Sequence, residues 1–259
     1  MRLRQVALAS RDLDGVVARL GRIFGIKVAY NDPHIHVYGL RNAVLPAGRS
    51  FLEVVEPVSE DASAARHLNR RGGDAGYMVI LQVADAVADQ ARAEALGVRV
   101  VDVIDRPDYR CAHFHPADFG GMLVSFDQQR DEPDLLAPYG AWMPAGPDWR
   151  GARSDLVEDL ACLTLTTPDP AGLAARWSAL LGRSADPADP LRIPLDAGEI
   201  RFAAAPEGSP TLIGRIDLVM ADPQGALERA RQEGLEAEDG GVRIGGVVFR
   251  PVGRDRGED

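Results

Sequence analysis

Only two cysteines, Cys111 and Cys162, occur in the 259 residues, too few for a disulfide framework and without the paired spacing of a metal-binding motif. No apolar run approaches the ~20 residues that a membrane-crossing helix needs. Basic residues are in the minority, 29 against 39 acidic, for a net charge of −10. Nucleic-acid phosphates are bound by basic faces, so a nucleic-acid partner is not expected, although a local basic pocket is compatible with the balance. The first residues, Met1-Arg2-Leu3-Arg4-Gln5, lead into a strand pattern rather than a signal-peptide core. A cytoplasmic, reducing setting is therefore the expectation. The remainder, 46% apolar and 26% charged, is ordinary for a globular protein of one large or two modest domains, burying roughly 70–75% of its unfolded surface.

What is present is a repeat. A short apolar run, an Asp seven residues after a fixed strand position, and a Gly twelve or thirteen residues further on recur four times. The strand positions are Gln5, Met78, Cys162 and Arg215; the aspartates are Asp12, Asp85, Asp169 and Asp222; the glycines are Gly25, Gly97, Gly182 and Gly234. Val6 and Leu8 alternate with Gln5, Ala7 and Ala9, the period of a strand with two unlike faces. Val16, Val17, Leu20, Ile23 and Phe24 have helical spacing, and Leu173, Ala174, Trp177, Leu180 and Leu181 repeat those offsets, which predicts helices pressing one stripe on a sheet. Each Asp sits where a carboxylate accepts the first free N–H groups of a helix, with Pro170 and Pro223 following at the first helical position. Each Gly sits where a left-handed residue ends the helix. Capping, rather than catalysis, is the role expected of the aspartates.

Extended runs follow each helix: Ile26 to Tyr30, Ile35 to Leu45 and Phe51 to Val55 after the first, and Val98 to Ile104, Arg110 to His115 and Met122 to Phe126 after the second. One helix per three or four strands does not suit a doubly wound parallel sheet, and a βαβββ module fits better. The last two units are shorter, with Leu191 to Leu195, Glu199 to Ala204 and Val242 to Val252. Residues 129–157 are rich in Pro, Gly and Trp and read as a linker. Its Trp142 and Trp149 are expected to pack over domains rather than to form a ligand box. The partition is then 1–128, a first pair of modules, 129–157, the linker, and 158–259, a second and shorter pair.

Paired βαβββ modules of this kind resemble the vicinal oxygen chelate superfamily, which includes glyoxalase I, methylmalonyl-CoA epimerase, bleomycin- and fosfomycin-resistance proteins and extradiol dioxygenases. The run His115-Pro116-Ala117-Asp118-Phe119-Gly120-Gly121-Met122-Leu123-Val124-Ser125-Phe126 resembles the end of the epimerase and glyoxalase modules, and Asn42-Ala43 with Gly48 and Phe51-Leu52-Glu53 resembles glyoxalase-like domains. The resemblance implies an α+β fold of four modules in two open eight-stranded cups, the glyoxalase/bleomycin-resistance/dioxygenase fold, with the second cup trimmed. It also implies a small-molecule ligand. Family modules pair within and between chains, so a homodimer is among the arrangements it allows.

In that superfamily a divalent metal sits at the cup centre, held from the first and last strands of each module. The matching positions of the first cup are Gln5, Glu53, Met78 and Ser125. Gln5 and Glu53 match ligand types of glyoxalase I, whereas Met78 and Ser125 stand in place of the expected His and Glu. Two hard ligands and a thioether make a poor site for Zn, Ni or Mn. In the second cup Cys162, Arg201, Arg215 and Arg250 fall at the equivalent places. Guanidinium groups repel a metal, so extradiol dioxygenase chemistry is not expected. Either these arginines converge on an anion, or they pair with neighbours such as Asp217, Glu199 or Glu207. Pairing is the expectation for so acidic a chain.

Four of the five histidines lie as His34-Ile35-His36 and His113-Phe114-His115, and residues two apart on a strand share a face. A divalent metal, not favoured, would be held by Glu53, His36, His113 and Gln5. Without a metal, Glu53 inside an apolar cup would have its pKa raised towards that of a general base, relayed by Gln5, His113 or Tyr38. Two functions follow. One is a metal-free binding protein for an apolar or aromatic compound, with Gln5, His36, Tyr38, Asn42, Met78 and Ser125 against the ligand. The other is a glyoxalase- or epimerase-like lyase or isomerase with Glu53 and His113 as its catalytic groups.

Overall fold

A computed structural model describes residues 1–254 of the chain. The first repeat unit gives β1 (Arg2–Ala9), α1 (Leu13–Phe24), β2 (Leu40–Ala47) and β3 (Ser50–Pro57), followed by a helix α2 (Ser63–Arg71). The second gives β4 (Ala75–Gln82), α3 (Ala86–Ala95), β5 (Val100–Asp105), β6 (Tyr109–Phe114) and β7 (Leu123–Gln129). The third gives β8 (Val157–Thr167), α4 (Pro170–Leu181), β9 (Arg192–Pro194) and β10 (Glu199–Ala204). The fourth gives β11 (Leu212–Met220), α5 (Pro223–Gln232), β12 (Ala237–Glu238), β13 (Gly241–Ile244) and β14 (Val247–Val252).

The repeat is a repeat of helix caps. The carboxylates of Asp12, Asp169 and Asp222 each accept an N–H at 2.9 Å, from Gly15, Gly172 and Gly225. Asp85 accepts from Val87 and Ala88, both at 3.0 Å. A Cβ at Gly15, Gly172 or Gly225 would come within 2.0, 2.1 or 1.9 Å of the capping carboxylate, which explains the Asp-x-x-Gly spacing. Gly25 and Gly182 close α1 and α4 at φ 66° and 61°, the left-handed conformation that glycine adopts without a Cβ penalty.

The strands form two open, mixed, seven-stranded sheets in the orders β2-β3-β1-β4-β7-β6-β5 and β12-β13-β14-β11-β8-β10-β9. The α+β class of paired βαβββ modules is thus as the sequence predicts, with seven strands in each sheet against the eight of the full cup. In the first module the run after α1 contributes only the bridge Tyr30 to Val44. In the third, Pro187 and Pro190 interrupt the equivalent run, leaving an isolated bridge between Asp186 and Asp189.

Two local expectations are corrected, and one helix was not foreseen. Ile35 to Leu45 is not extended throughout, because Ile35–Tyr38 forms a 3-10 turn ended by Gly39 at φ 70°. His34 and His36 therefore do not share a strand face. Val242 to Val252 is a hairpin, turned at Gly245 and Gly246 with φ 56° and 79°. Helix α2 carries no side-chain cap, so the Asp signal that marks the other helices is missing there.

The described residues pack as two compact units. One holds residues 1–7, 77–143 and 162–214, and the other holds residues 8–76, 144–161 and 215 onward. In the first unit α3 packs with α4, and Phe114, Phe119, Phe126, Trp177 and Phe202 form a chain of ring contacts with neighbouring centroids 4.8–6.4 Å apart. In the second unit α1 packs with α5, and Phe24 meets Phe249 at 5.9 Å. Alternation along the strands leaves the opposite faces for polar residues.

Candidate functional site

In the first unit that opposite face is built by β4, β7 and β6. Ile80 lies beside Ser125 and Gln82 beside Asp127, while His113 faces Ser125, Cys111 faces Asp127 and Tyr109 faces Gln129. The face is polar yet buried: Ser125, Asp127, Tyr109, Gln82 and Gln129 are all at most 5% exposed. Asp127 is its hub, accepting short hydrogen bonds from the hydroxyls of Tyr109 and Ser125. Burial, with Asp127 alongside, pushes the Tyr109 phenol well above its usual range and pushes the Cys111 thiol up as well. The raised pKa keeps Cys111 protonated, and its Sγ lies 3.5 Å from His113 Nε2. Burial lowers the pKa of half-buried His113, opposed by Asp102.

Trp142 lies on this face. Its Nε1–H donates to Gln5 Oε1 at 2.8 Å, its ring meets Tyr109 edge-on at 6.0 Å, and the Arg4 guanidinium sits 5.2 Å from the ring. The next residue is tied as well, Met143 N–H donating to Gln129 Oε1 at 2.8 Å. Gln82 Oε1 is buried with no hydrogen-bond partner among the described residues.

In the second unit β2 and β3 pair with Asn42 opposite Val55, Val44 opposite Glu53 and Pro46 opposite Phe51. Glu53, 8% exposed, accepts from Asn42 Nδ2 at 2.7 Å. Asn42 in turn accepts the N–H of Asp32 at 2.8 Å on its side-chain oxygen. Trp149 packs edge-on against Phe51 at 4.9 Å. His36 is exposed in the 3-10 turn, donating to the Pro33 carbonyl at 2.7 Å, and Tyr38 is 44% exposed.

The structure therefore gathers Gln5, Ser125 and His113 with Met78, which is 7% exposed, in one unit, and Glu53 with Asn42 in the other. These residues do not fit a divalent metal. Gln5 Oε1 and Glu53 Oε1 are engaged by N–H donors, the Ser125 hydroxyl is turned to Asp127, and Met78 offers only a thioether. Among the described residues no group of three or more His, Cys, Asp or Glu is placed to hold a metal.

On the second sheet Arg201 pairs with Glu199 and Asp189, while Arg215 and Arg250 share Asp217. Asp217 and Glu199 were legible as neighbours; Asp189 was not, and the expected Glu207 pairs with none of the three arginines among the described residues. Sequence reading passed over Asp127 and Tyr109, although Asp127 lies two residues beyond Ser125 and period-two alternation puts both on one face. It also passed over His67 on α2, 6% exposed and bonded to the Gly76 carbonyl at 3.0 Å.

The sequence profile of the family described as "Glyoxalase-like domain" matches residues 6–181. A Mn(II)-bound glyoxalase from Novosphingobium aromaticivorans superposes with a TM-score of 0.65 over 97% of this chain and 81% of its own, at 15% identity, a likeness of fold alone. A Streptomyces coelicolor methylmalonyl-CoA epimerase variant in complex with 2-nitronate-propionyl-CoA is 25% identical over 50% of this chain and 94% of its own, with a TM-score of 0.45. The Mycobacterium tuberculosis methylmalonyl-CoA epimerase is 26% identical over 52% and 91%, also at 0.45. No curated protein matches the sequence significantly.

Proposed function

The chain belongs to the glyoxalase-like domain family, and from that premise we propose that it is a metal-independent small-molecule-binding protein whose ligand is taken by the polar face of β4, β7 and β6. The observation that carries this reading is the indole of Trp142, fixed by Gln5 and edge-on to Tyr109. A planar aromatic with an N–H or O–H donor is what this face already accepts from within the chain. An aromatic ligand would displace the indole or lie against it, with Gln5 Oε1 and the unpaired Gln82 Oε1 as acceptors. The first module pair, residues 1–128, is the functional half in this reading, with 129–157 as the segment that reaches into it and 158–259 as the second half. No helix among the described residues is long and apolar enough to cross a membrane. A cytoplasmic setting and no nucleic-acid partner complete the proposal, with a homodimer among the assemblies it allows.

The test is tryptophan emission of chelator-treated protein, titrated with indole and a panel of phenols. Saturable quenching without metal, weakened about tenfold by Gln5→Leu, agrees with the loss of one buried hydrogen bond of ~1.4 kcal/mol. Binding that requires added metal would contradict the proposal.

A second reading rests on Glu53, a buried carboxylate with one oxygen oriented by Asn42. Such a group suits proton abstraction beside a carbonyl. Glu53→Gln would abolish deuterium exchange into a substrate while leaving a pure binder unaffected; unaltered exchange in that variant removes the catalytic assignment.

A further inference from the structure

On the second sheet β11 and β14 run parallel, with Arg215 beside Val248 and Asp217 beside Arg250. Alternation puts Arg215, Asp217 and Val219 on one face with Val248, Arg250 and Val252, opposite Ile216, Leu218 and Phe249, which are fully buried. Asp217, 4% exposed, accepts from Arg215 Nε at 3.0 Å, from Arg250 Nε at 2.9 Å and from Arg250 Nη2. A guanidinium carries five N–H donors in a rigid fork. Both terminal nitrogens of Arg215 and the Nη1 of Arg250 are left without a hydrogen-bond partner among the described residues. The two side chains remain 24% and 33% exposed.

The charge count separates this cluster from the other arginines on the strands of the second sheet. Arg192 and Arg201 are matched by Asp186, Asp189 and Glu199, two cations to three anions. Arg243, on the adjoining strand, is matched by Glu238. Arg215 and Arg250 share a single carboxylate, two cations to one anion, an excess of one positive charge on a chain of net −10. Asp217 holds the two forks together before any ligand arrives, which lowers the ordering cost of binding.

We propose that Arg215 and Arg250 form a binding site for the carboxylate of a small organic acid. One excess charge matches a monoanion, and a carboxylate meets guanidinium forks with paired hydrogen bonds. Half-buried Val219 and Val252, paired across β11 and β14, offer an apolar strip for the body of the acid. The site lies on the second sheet and does not depend on the reading of the first.

The experiment is a titration of the 15N-labelled full chain with sodium benzoate, and separately with inorganic phosphate, read at the side-chain Nε–Hε signals of Arg215 and Arg250. Benzoate is expected to shift both signals saturably, and Arg215→Lys, which keeps a cation beside Asp217 but removes the fork, to weaken binding about tenfold. Absence of a saturable shift, or the same isotherm in Arg215→Lys, would overturn the site. Saturable binding of phosphate with no response to benzoate would overturn the carboxylate assignment.

Discussion

His67 shows how a single residue ties this fold to pH. Burial, together with Arg71 and Arg70, lowers its pKa from the ordinary 6.5 to about 4, partly opposed by the bond to Gly76. Below pH 6.5 the unfolded chain takes up a proton that the folded chain refuses until about pH 4, so this contribution is complete above 6.5 and lost as the pH falls. Urea unfolding should show about 2–3 kcal/mol less stability at pH 4.5 than at pH 7 from this residue, and His67→Gln should remove that component of the slope. An unchanged slope in the variant would assign it to the carboxylates. At Glu53, Asn42→Ala removes one hydrogen-bond donor from a buried carboxylate and should cost about 1–3 kcal/mol in the same assay. The inward positions Gln5, Glu53, Met78 and Ser125 were legible because strand alternation and the family pattern agree on them. The bond from Trp142 to Gln5 was not, because 137 residues separate the partners and no local pattern couples them.

The elements were legible wherever a local signal has one physical meaning. The repeated Asp marks a cap at four helices, and at three of them its carboxylate fills the space that a Cβ three residues on would need. Asp169→Ala should therefore cost about 1 kcal/mol, seen as a lower urea midpoint with unchanged m-value. Gly246 is a sharper case, with φ 79° and a would-be Cβ 1.9 Å from the Asp74 carbonyl oxygen. Gly246→Ala should destabilise by about 2 kcal/mol or more, and a neutral effect would mean that the β13–β14 turn rearranges freely. Where a signal is shared between conformations, reading failed: Ile35–Tyr38 is β-prone by composition and folds as a 3-10 turn between Pro33 and Gly39. Helix α2 lacks the cap that marks the others.

At the scale of the molecule, the fourfold repeat carried the α+β class and the pairing of modules into two open sheets, because each module cannot bury its apolar face alone. The repeat is silent on which modules lose a strand and on what lies over the polar faces. Both depend on contacts distant in sequence, as does the assembly of residues 1–7, 77–143 and 162–214 into one compact unit. The side chains of Gln5, Glu53 and Ser125, which the sequence resemblance marked for a metal, are bonded to Trp142, Asn42 and Asp127. The most direct test is elemental analysis of the untagged protein after incubation with Zn, Ni, Mn and Fe and removal of the excess. We expect no metal to be retained; about one tightly held metal per chain would contradict the metal-independent account.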